Sequence, residues 1–184
     1  DTRIKKGNQT LPYTQVAPVS YLPDGGYASL GADGTVTIFN ADNTQRARLS
    51  LPSGTYSLAP TLGSGGTIYV AGPSLKAYAV NPDGTLRWQF SMTSSARFTG
   101  SPALSPDGTT VYLLDNSRMI FALDSATGRK WWNARYGTVG VAMGSPTVGA
   151  DGTIYFVTDK GGVLAAAPTS AAKWSYSTAL ALSL

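Results

Sequence analysis

The chain contains no cysteine, no histidine and no glutamate, and all ten of its acidic residues are aspartates. The common ligands of zinc, haem and iron–sulfur sites are therefore missing, and neither a Ser-His-Asp nor a Cys-His catalytic set can be assembled within it. No apolar run approaches the roughly 18 residues that a membrane-spanning helix needs. The sequence thus predicts no metal site, no cofactor, no catalytic residue and no membrane span.

Charged residues are also scarce, at 13% of the chain. The net charge is +4, but the basic residues are scattered or form short clusters such as Arg46 with Arg48 and Arg129 with Lys130. A nucleic-acid-binding surface needs a longer basic stripe, so no nucleic-acid partner is predicted. The low charge, together with abundant glycine, serine and threonine, favours an exported β protein. Its expected location is extracellular or periplasmic, and association with the cell surface is compatible with this.

A unit of about 42 residues is repeated four times along the chain. Prolines open the units at spacings of 42, 42 and 44 residues: Pro18, Pro60, Pro102 and Pro146. Each proline is followed by a glycine-rich turn and an apolar run, and three of these runs carry a tyrosine: Tyr69, Tyr112 and Tyr155. Tryptophans end three of the units: Trp88, Trp132 and Trp174. Self-similarity at this period is typical of a solenoid, a propeller or an array, and we interpret these recurring residues as structural.

The third unit predicts four short strands, over 101–104, 110–114, 119–124 and 129–134, joined by tight turns. Because its strands are apolar on both faces, such a sheet is expected to be covered on both sides by similar sheets. Four-stranded antiparallel sheets that stack around an axis are the blades of a β-propeller. The tryptophans are then expected to pack between blades, where loss of one would cost roughly 3–5 kcal/mol. Trp131 alternates with Trp132 and points to the opposite face, where packing is favoured and exposure is the alternative.

Four motifs stand in order in the third unit: Ser101-Pro102-Ala103-Leu104, Asp107-Gly108-Thr109-Thr110-Val111-Tyr112, Phe121-Ala122-Leu123-Asp124 and Ala126-Thr127-Gly128-Arg129-Lys130-Trp131-Trp132. This pattern resembles the repeat of the pyrroloquinoline-quinone-type (PQQ-like) β-propellers. The resemblance extends over about residues 17–177, although the first unit is degenerate and lacks the tryptophan. It implies an all-β propeller of about four four-stranded antiparallel blades and says little about activity.

The repeat divides the chain into four expected blades, at about 17–58, 59–100, 101–144 and 145–177. Residues 1–16 are expected to form the outer strand of a preceding blade plus a linker, and 178–184 an apolar strand or the start of a further blade. The resemblance implies more blades than four, commonly eight. The chain is therefore interpreted as a fragment of a longer propeller, as half of a ring made by two copies, or as a unit of a head-to-tail filament. A closed four-blade ring is the least favoured arrangement.

The function predicted first is a non-catalytic module or scaffold that binds a protein or glycan partner through loops on one face. The alternatives are a structural subunit of a homo-oligomer, filament or surface layer, and a fragment of a PQQ-dependent dehydrogenase. The resemblance implies a calcium-bound quinone for such dehydrogenases, but nothing in the chain singles out a catalytic base. The candidate contact residues are Arg97, Phe98, Asp115, Asn116, Arg118, Trp131, Arg135, Tyr136, Asp159 and Lys160. A basic-aromatic pair such as Arg97 and Phe98 suits an anionic or sugar ligand.

Overall fold

The computed structural model of the protein describes residues 19–52, 54–73, 75–92, 95–137 and 140–169, and the backbone of 172–177. Within these ranges the fold consists of four separate four-stranded sheets and no helix. Consecutive strands are antiparallel neighbours in every sheet, which confirms the predicted all-β propeller blades. Pro18 and the segments 1–16 and 178–184 lie outside the described residues.

The sheets follow one another along the chain. The first sheet contains β1 (Ser20–Tyr21), β2 (Tyr27–Leu30), β3 (Thr35–Phe39) and β4 (Gln45–Ser50). The second contains β5 (Thr61–Leu62), β6 (Ile68–Ala71), β7 (Lys76–Val80) and β8 (Leu86–Ser91). The third contains β9 (Ala103–Leu104), β10 (Thr110–Leu114), β11 (Met119–Asp124) and β12 (Lys130–Arg135). The fourth contains β13 (Ala142–Val148), β14 (Ile154–Thr158), β15 (Gly162–Ala166) and β16 (Ala172–Ser177).

Aspartate-glycine pairs close the tight turns between the first and second strands of the first, third and fourth sheets. In the third sheet, the Asp107 carboxylate accepts the backbone N–H of Thr109 at 3.1 Å, and Gly108 adopts a φ of 72°. A short polar side chain that bonds two residues ahead favours such a turn, and glycine tolerates the left-handed backbone. These turns set the register in which the next strand begins.

A tyrosine, an alanine and a tryptophan line up across the strands of a blade. In the second sheet, Tyr69 lies opposite Ala79 and Ala79 opposite Trp88. The small alanine leaves room for the two rings to meet above it, with centroids 5.9 Å apart. The third sheet repeats the arrangement, with its tyrosine and tryptophan rings 6.2 Å apart. In the first sheet the corresponding residues are Ala28, Ile38 and Ala47, so a central isoleucine fills the space that two rings occupy elsewhere.

The core lies between neighbouring sheets, in one apolar cluster at each junction. Trp88 is 7% exposed and belongs to the cluster between the second and third sheets. Its indole N–H donates to the carbonyl oxygen of Ser125 in the next sheet at 2.9 Å, and the Tyr69 hydroxyl donates to the same oxygen at 3.2 Å. Trp132 packs against the cluster between the third and fourth sheets. These two tryptophans therefore join blades, while the side chain of Trp174 lies outside the described residues.

Trp131 does not pack between blades, contrary to the interpretation favoured above. Ala122 lies opposite Trp132 and Leu123 opposite Lys130, so Trp131 is the extra residue of a β-bulge. A bulged residue has no partner across the ladder and is aimed differently from its neighbours. The indole is consequently 64% exposed.

Candidate functional site

A cleft of about 380 Å³ opens between the third and fourth sheets, where β10 and β14 end. It brings together five of the predicted contact residues, which come from two turns and one outer strand: Asn116, Arg118, Arg135, Asp159 and Lys160. Ser117, Gly140 and Val141 complete its lining. The turns of the third and fourth sheets that carry these residues therefore lie side by side at one end of the strands.

The same pair of hydrogen bonds positions both walls of the cleft. The Asn116 side-chain oxygen accepts the backbone N–H of Arg97 at 2.9 Å, and the backbone N–H of Asn116 donates to the Arg97 carbonyl at 3.0 Å. In the next repeat, the Asp159 carboxylate accepts the N–H of Val141 at 2.8 Å, and the N–H of Asp159 donates to the Val141 carbonyl at 3.0 Å. Asn116 and Asp159 thus each use one side-chain oxygen to fix the loops.

Asp115 is buried inside the turn that carries Arg118. Its carboxylate accepts the backbone N–H groups of Ser117 at 2.9 Å and Met119 at 2.8 Å, and the Ser117 hydroxyl donates to it as well. Burial and these bonds close the Asp115 side chain to a partner. Their effect is to hold the turn in one conformation.

Within this turn, Arg118 adopts a left-handed backbone with a φ of 69°. The corresponding position of the fourth sheet is Gly161, with a φ of 71°. A non-glycine residue in this region costs on the order of 1–2 kcal/mol. In the second sheet Leu75 accepts the same strain, but its side chain is 1% exposed and packs in the core. Arg118 is half-buried and lines the cleft, so its strain marks the side chain as a functional candidate.

Two further candidates, Phe98 and Tyr136, lie inside the fold. Phe98 is 5% exposed and packs edge-on against Phe121, with ring centroids 6.0 Å apart. Tyr136 is 3% exposed, and its hydroxyl accepts the N–H of Ala142 at 2.8 Å and donates to the Asp115 carbonyl at 3.3 Å. Burial raises the pKa of the Tyr136 phenol. Neither ring is available for a sugar or a peptide to stack on.

The charges at the cleft are mainly positive. Arg118, Arg135 and Lys160 line it, and the exposed Arg97 lies on the loop bonded to Asn116. Asp159 is the one carboxylate of the lining. The ion pair found among the described residues joins Arg46 to Asp24, so none of these four cations is ion-paired there. A corresponding cleft of about 280 Å³ between the second and third sheets carries Arg97 as its one charge. The positive character is therefore concentrated between the third and fourth sheets.

The described ranges contain no group of three or more histidine, cysteine, aspartate or glutamate side chains placed to hold a metal ion. They also contain no helix that is long and apolar enough to cross a membrane. The cleft offers cationic donors and backbone groups, which suit binding of an anionic group.

Comparisons with known proteins place the fold. A family model described as "Outer membrane protein assembly factor BamB" matches residues 22–182. The crystal structure of BamB from Moraxella catarrhalis is similar with a TM-score of 0.72 at 20% sequence identity, over 90% of this chain and 54% of that one. The chain thus spans about half the length of that protein, and at this identity the likeness shows the fold alone. No curated protein matches the chain.

Proposed function

Because this chain belongs to the family of the outer membrane protein assembly factor BamB, we propose that it is a non-catalytic propeller module that binds a protein partner. The match bears out the predicted PQQ-like repeat. An assembly factor acts by contact with other proteins, and a factor for outer membrane proteins works in the cell envelope. This supports the predicted extracellular or periplasmic location and a role as a binding module or scaffold.

The cleft between the third and fourth sheets is the proposed contact surface, and its excess of positive charge carries the proposal. Arg118, Arg135 and Lys160 outnumber the one carboxylate of its lining, Asp159, and none of the three forms an ion pair among the described residues. Opposite charge on a partner would speed association and orient docking. The partner segment is therefore one rich in aspartate or glutamate. A glycan is less well supported, because the rings of Phe98 and Tyr136 are buried.

A labelled glutamate-rich peptide, with a glutamine-rich peptide of the same length beside it, tests this proposal by fluorescence anisotropy. We expect binding of the glutamate peptide that weakens as salt is added, because exposed charges are screened. Arg118→Glu, Arg135→Glu and Lys160→Glu should each weaken it several-fold, whereas Lys130→Glu, at the other end of the strands, should not. Equal binding of both peptides, or equal loss with the Lys130 variant, would contradict the assignment.

Assembly of several copies is a second candidate, favoured by the outer face of the fourth sheet. Met143 and Val157 are register partners there and are 56% and 50% exposed. A contiguous apolar patch on a sheet face marks a contact with another unit, and these two neighbouring side chains are the observation that favours such a patch here. If copies join in an oligomer, filament or surface layer through this face, Met143→Lys and Val157→Lys should lower the mass measured by light scattering. A mass that is monomeric from the start would exclude it.

The dehydrogenase interpretation has the least support, because the matching family is described as an assembly factor. Dye-linked alcohol oxidation after addition of the quinone and calcium is the direct measurement. We expect no turnover above the rate without protein, and turnover would overturn the non-catalytic proposal.

A further inference from the structure

Each outer strand of the first three sheets contains one bulged residue at the same repeat position. In the first sheet the ladder passes from Ala47 to Gln45, which leaves Arg46 unpaired. In the second and third sheets the residues left out of the ladder are Arg87 and Trp131. In the fourth sheet the ladder passes from Trp174 to Ala172, which leaves out Lys173. One structural position is thus occupied by a basic residue in three sheets and by an exposed tryptophan in the third.

The two arginines use this position to satisfy polar groups near the turns of the blades. Arg46 forms an ion pair with the Oδ2 atom of Asp24 at 2.7 Å. The guanidinium of Arg87 donates to the Thr67 hydroxyl at 2.9 Å and to the Ala126 carbonyl at 3.2 Å. A cation at the bulge is therefore part of how this repeat completes its polar contacts.

The third sheet keeps the carboxylate but lacks the cation. Asp107 corresponds to Asp24, because each precedes the left-handed glycine of its turn, Gly108 and Gly25. In Asp24 one oxygen, Oδ1, accepts a turn N–H and the other, Oδ2, holds Arg46. In Asp107 the Oδ1 atom likewise accepts the turn donors, from Thr109 and Ser105. Among the described residues, its Oδ2 atom has neither a hydrogen bond nor an ion pair.

The surroundings of Asp107 can accommodate a side chain from outside. Asp107 lines a cleft of about 360 Å³ between the third and fourth sheets, together with Thr110, Tyr112 and Pro168. The carboxyl is exposed, and the hydrogen bonds from Ser105 and Thr109 lower its pKa, so it is ionised at neutral pH. Trp131 stands at the strand position from which an arginine reaches the turn in the first sheet, and it presents an exposed indole.

We infer that the third sheet binds an arginine side chain of a protein partner, which supplies to Asp107 the guanidinium that Arg46 supplies to Asp24. The carboxylate forms a charge-assisted pair with the guanidinium, and the Trp131 indole offers an aromatic face to the planar cation. Arginine is favoured over lysine because its flat fork can pair and stack at once. This site lies at the end of the strands opposite the basic cleft. A negative result at one site therefore leaves the proposal for the other site untouched.

The test uses the whole chain, labelled with ¹⁵N, and two short peptides that differ only in having arginine or its uncharged analogue citrulline. The indole N–H signal of Trp131, assigned with Trp131→Phe, reports binding. We expect the arginine peptide to shift this signal in a saturable way and the citrulline peptide to bind roughly tenfold more weakly or worse, since a charge-assisted bond is lost. Asp107→Asn should cause a similar loss, and asparagine keeps the turn chemistry.

Two control variants make the result specific. Asp24→Asn removes the corresponding carboxylate of the first sheet and should leave binding unchanged, as should Arg118→Glu in the basic cleft. Trp131→Arg should pair with Asp107 within the chain and abolish binding of the arginine peptide, which is followed for this variant by fluorescence anisotropy of the labelled peptide because the indole signal is gone. Equal affinity for citrulline, an unaffected Asp107→Asn variant, or a Trp131 shift with a neutral oligosaccharide but not with the arginine peptide would each overturn the inference.

Discussion

Replacement of Trp88 by alanine removes a buried indole from the junction between the second and third sheets. The indole is 7% exposed and meets the Tyr69 ring within its own sheet. On its other side lies Gly128 of the third sheet, where an added Cβ would come within 2.6 Å of the ring. The indole N–H also donates to the Ser125 carbonyl at 2.9 Å. Both packing and a hydrogen bond across the blade junction are therefore lost together.

The expected cost follows from these contacts. Truncation of a buried aromatic side chain to alanine costs about 3–5 kcal/mol, because the cavity only partly collapses. The hydrogen bond contributes about 1 kcal/mol of this. The Ser125 carbonyl keeps its bond from the Tyr69 hydroxyl, so no buried acceptor is orphaned and the loss should stay within that range. For a domain of ordinary stability, about 5–15 kcal/mol in total, this is a large fraction.

Urea denaturation followed by far-ultraviolet circular dichroism measures the change without relying on tryptophan emission. Trp88→Phe should lose about 1 kcal/mol or somewhat more, because a ring remains but the donor is gone. Trp131→Ala is the matched control: its indole is 64% exposed, and its removal should change the free energy of unfolding by no more than about 0.5 kcal/mol. Equal costs at Trp88 and Trp131, or a Trp88→Ala variant within 1 kcal/mol of the parent protein by this reasoning, would refute the account of the blade junction.

Three further predictions concern the turns and connections. Tyr136→Phe leaves the buried N–H of Ala142 without its acceptor and should cost about 1–3 kcal/mol in urea denaturation. Gly128→Ala and Gly144→Ala both place alanine at a positive φ, but only the first meets a ring, so the melting temperature should fall further for Gly128→Ala; equal losses would contradict the close approach. Hydrogen bonds lower the pKa of turn carboxylates such as Asp33 below 3.8 and burial raises that of Tyr136 above 10. Stability should therefore decline as pH falls below about 3.8 and again as pH rises above about 10, and a melting temperature constant across either range would contradict this.

The blades could be predicted from the sequence because independent signals agreed. The positions of the turn aspartates, the lengths of the apolar runs and the position of Trp88 each indicate four-stranded sheets, and the structure contains them. Strand alternation failed at Trp131, because a bulge adds one residue to β12 and the rule assumes a regular pleat. A usable signal was nevertheless present: the corresponding residues of the first two units, Arg46 and Arg87, are charged, which is unusual for a packed position.

Candidate loop residues were harder to place than strands. Loops usually lie on the surface, yet Phe98 and Tyr136 turn into the junctions between sheets and are buried. Their neighbours Arg97 and Arg135 remain exposed. Which member of each basic-aromatic pair faces inward depends on where the connection crosses the junction, and this is a property of the stacked sheets rather than of the loop sequence.

A repeat makes departures from its own pattern informative. Residues that recur, such as Trp88 and Trp132, are accounted for by packing between sheets. Arg118 and Trp131 depart from the pattern in the opposite sense: one takes on a strained backbone where the next repeat has glycine, and the other exposes a large apolar ring where earlier repeats have a cation. Neither change improves the packing of the described residues. Both lie in the third blade and at opposite ends of its strands, where the two proposed partner sites would account for both costs.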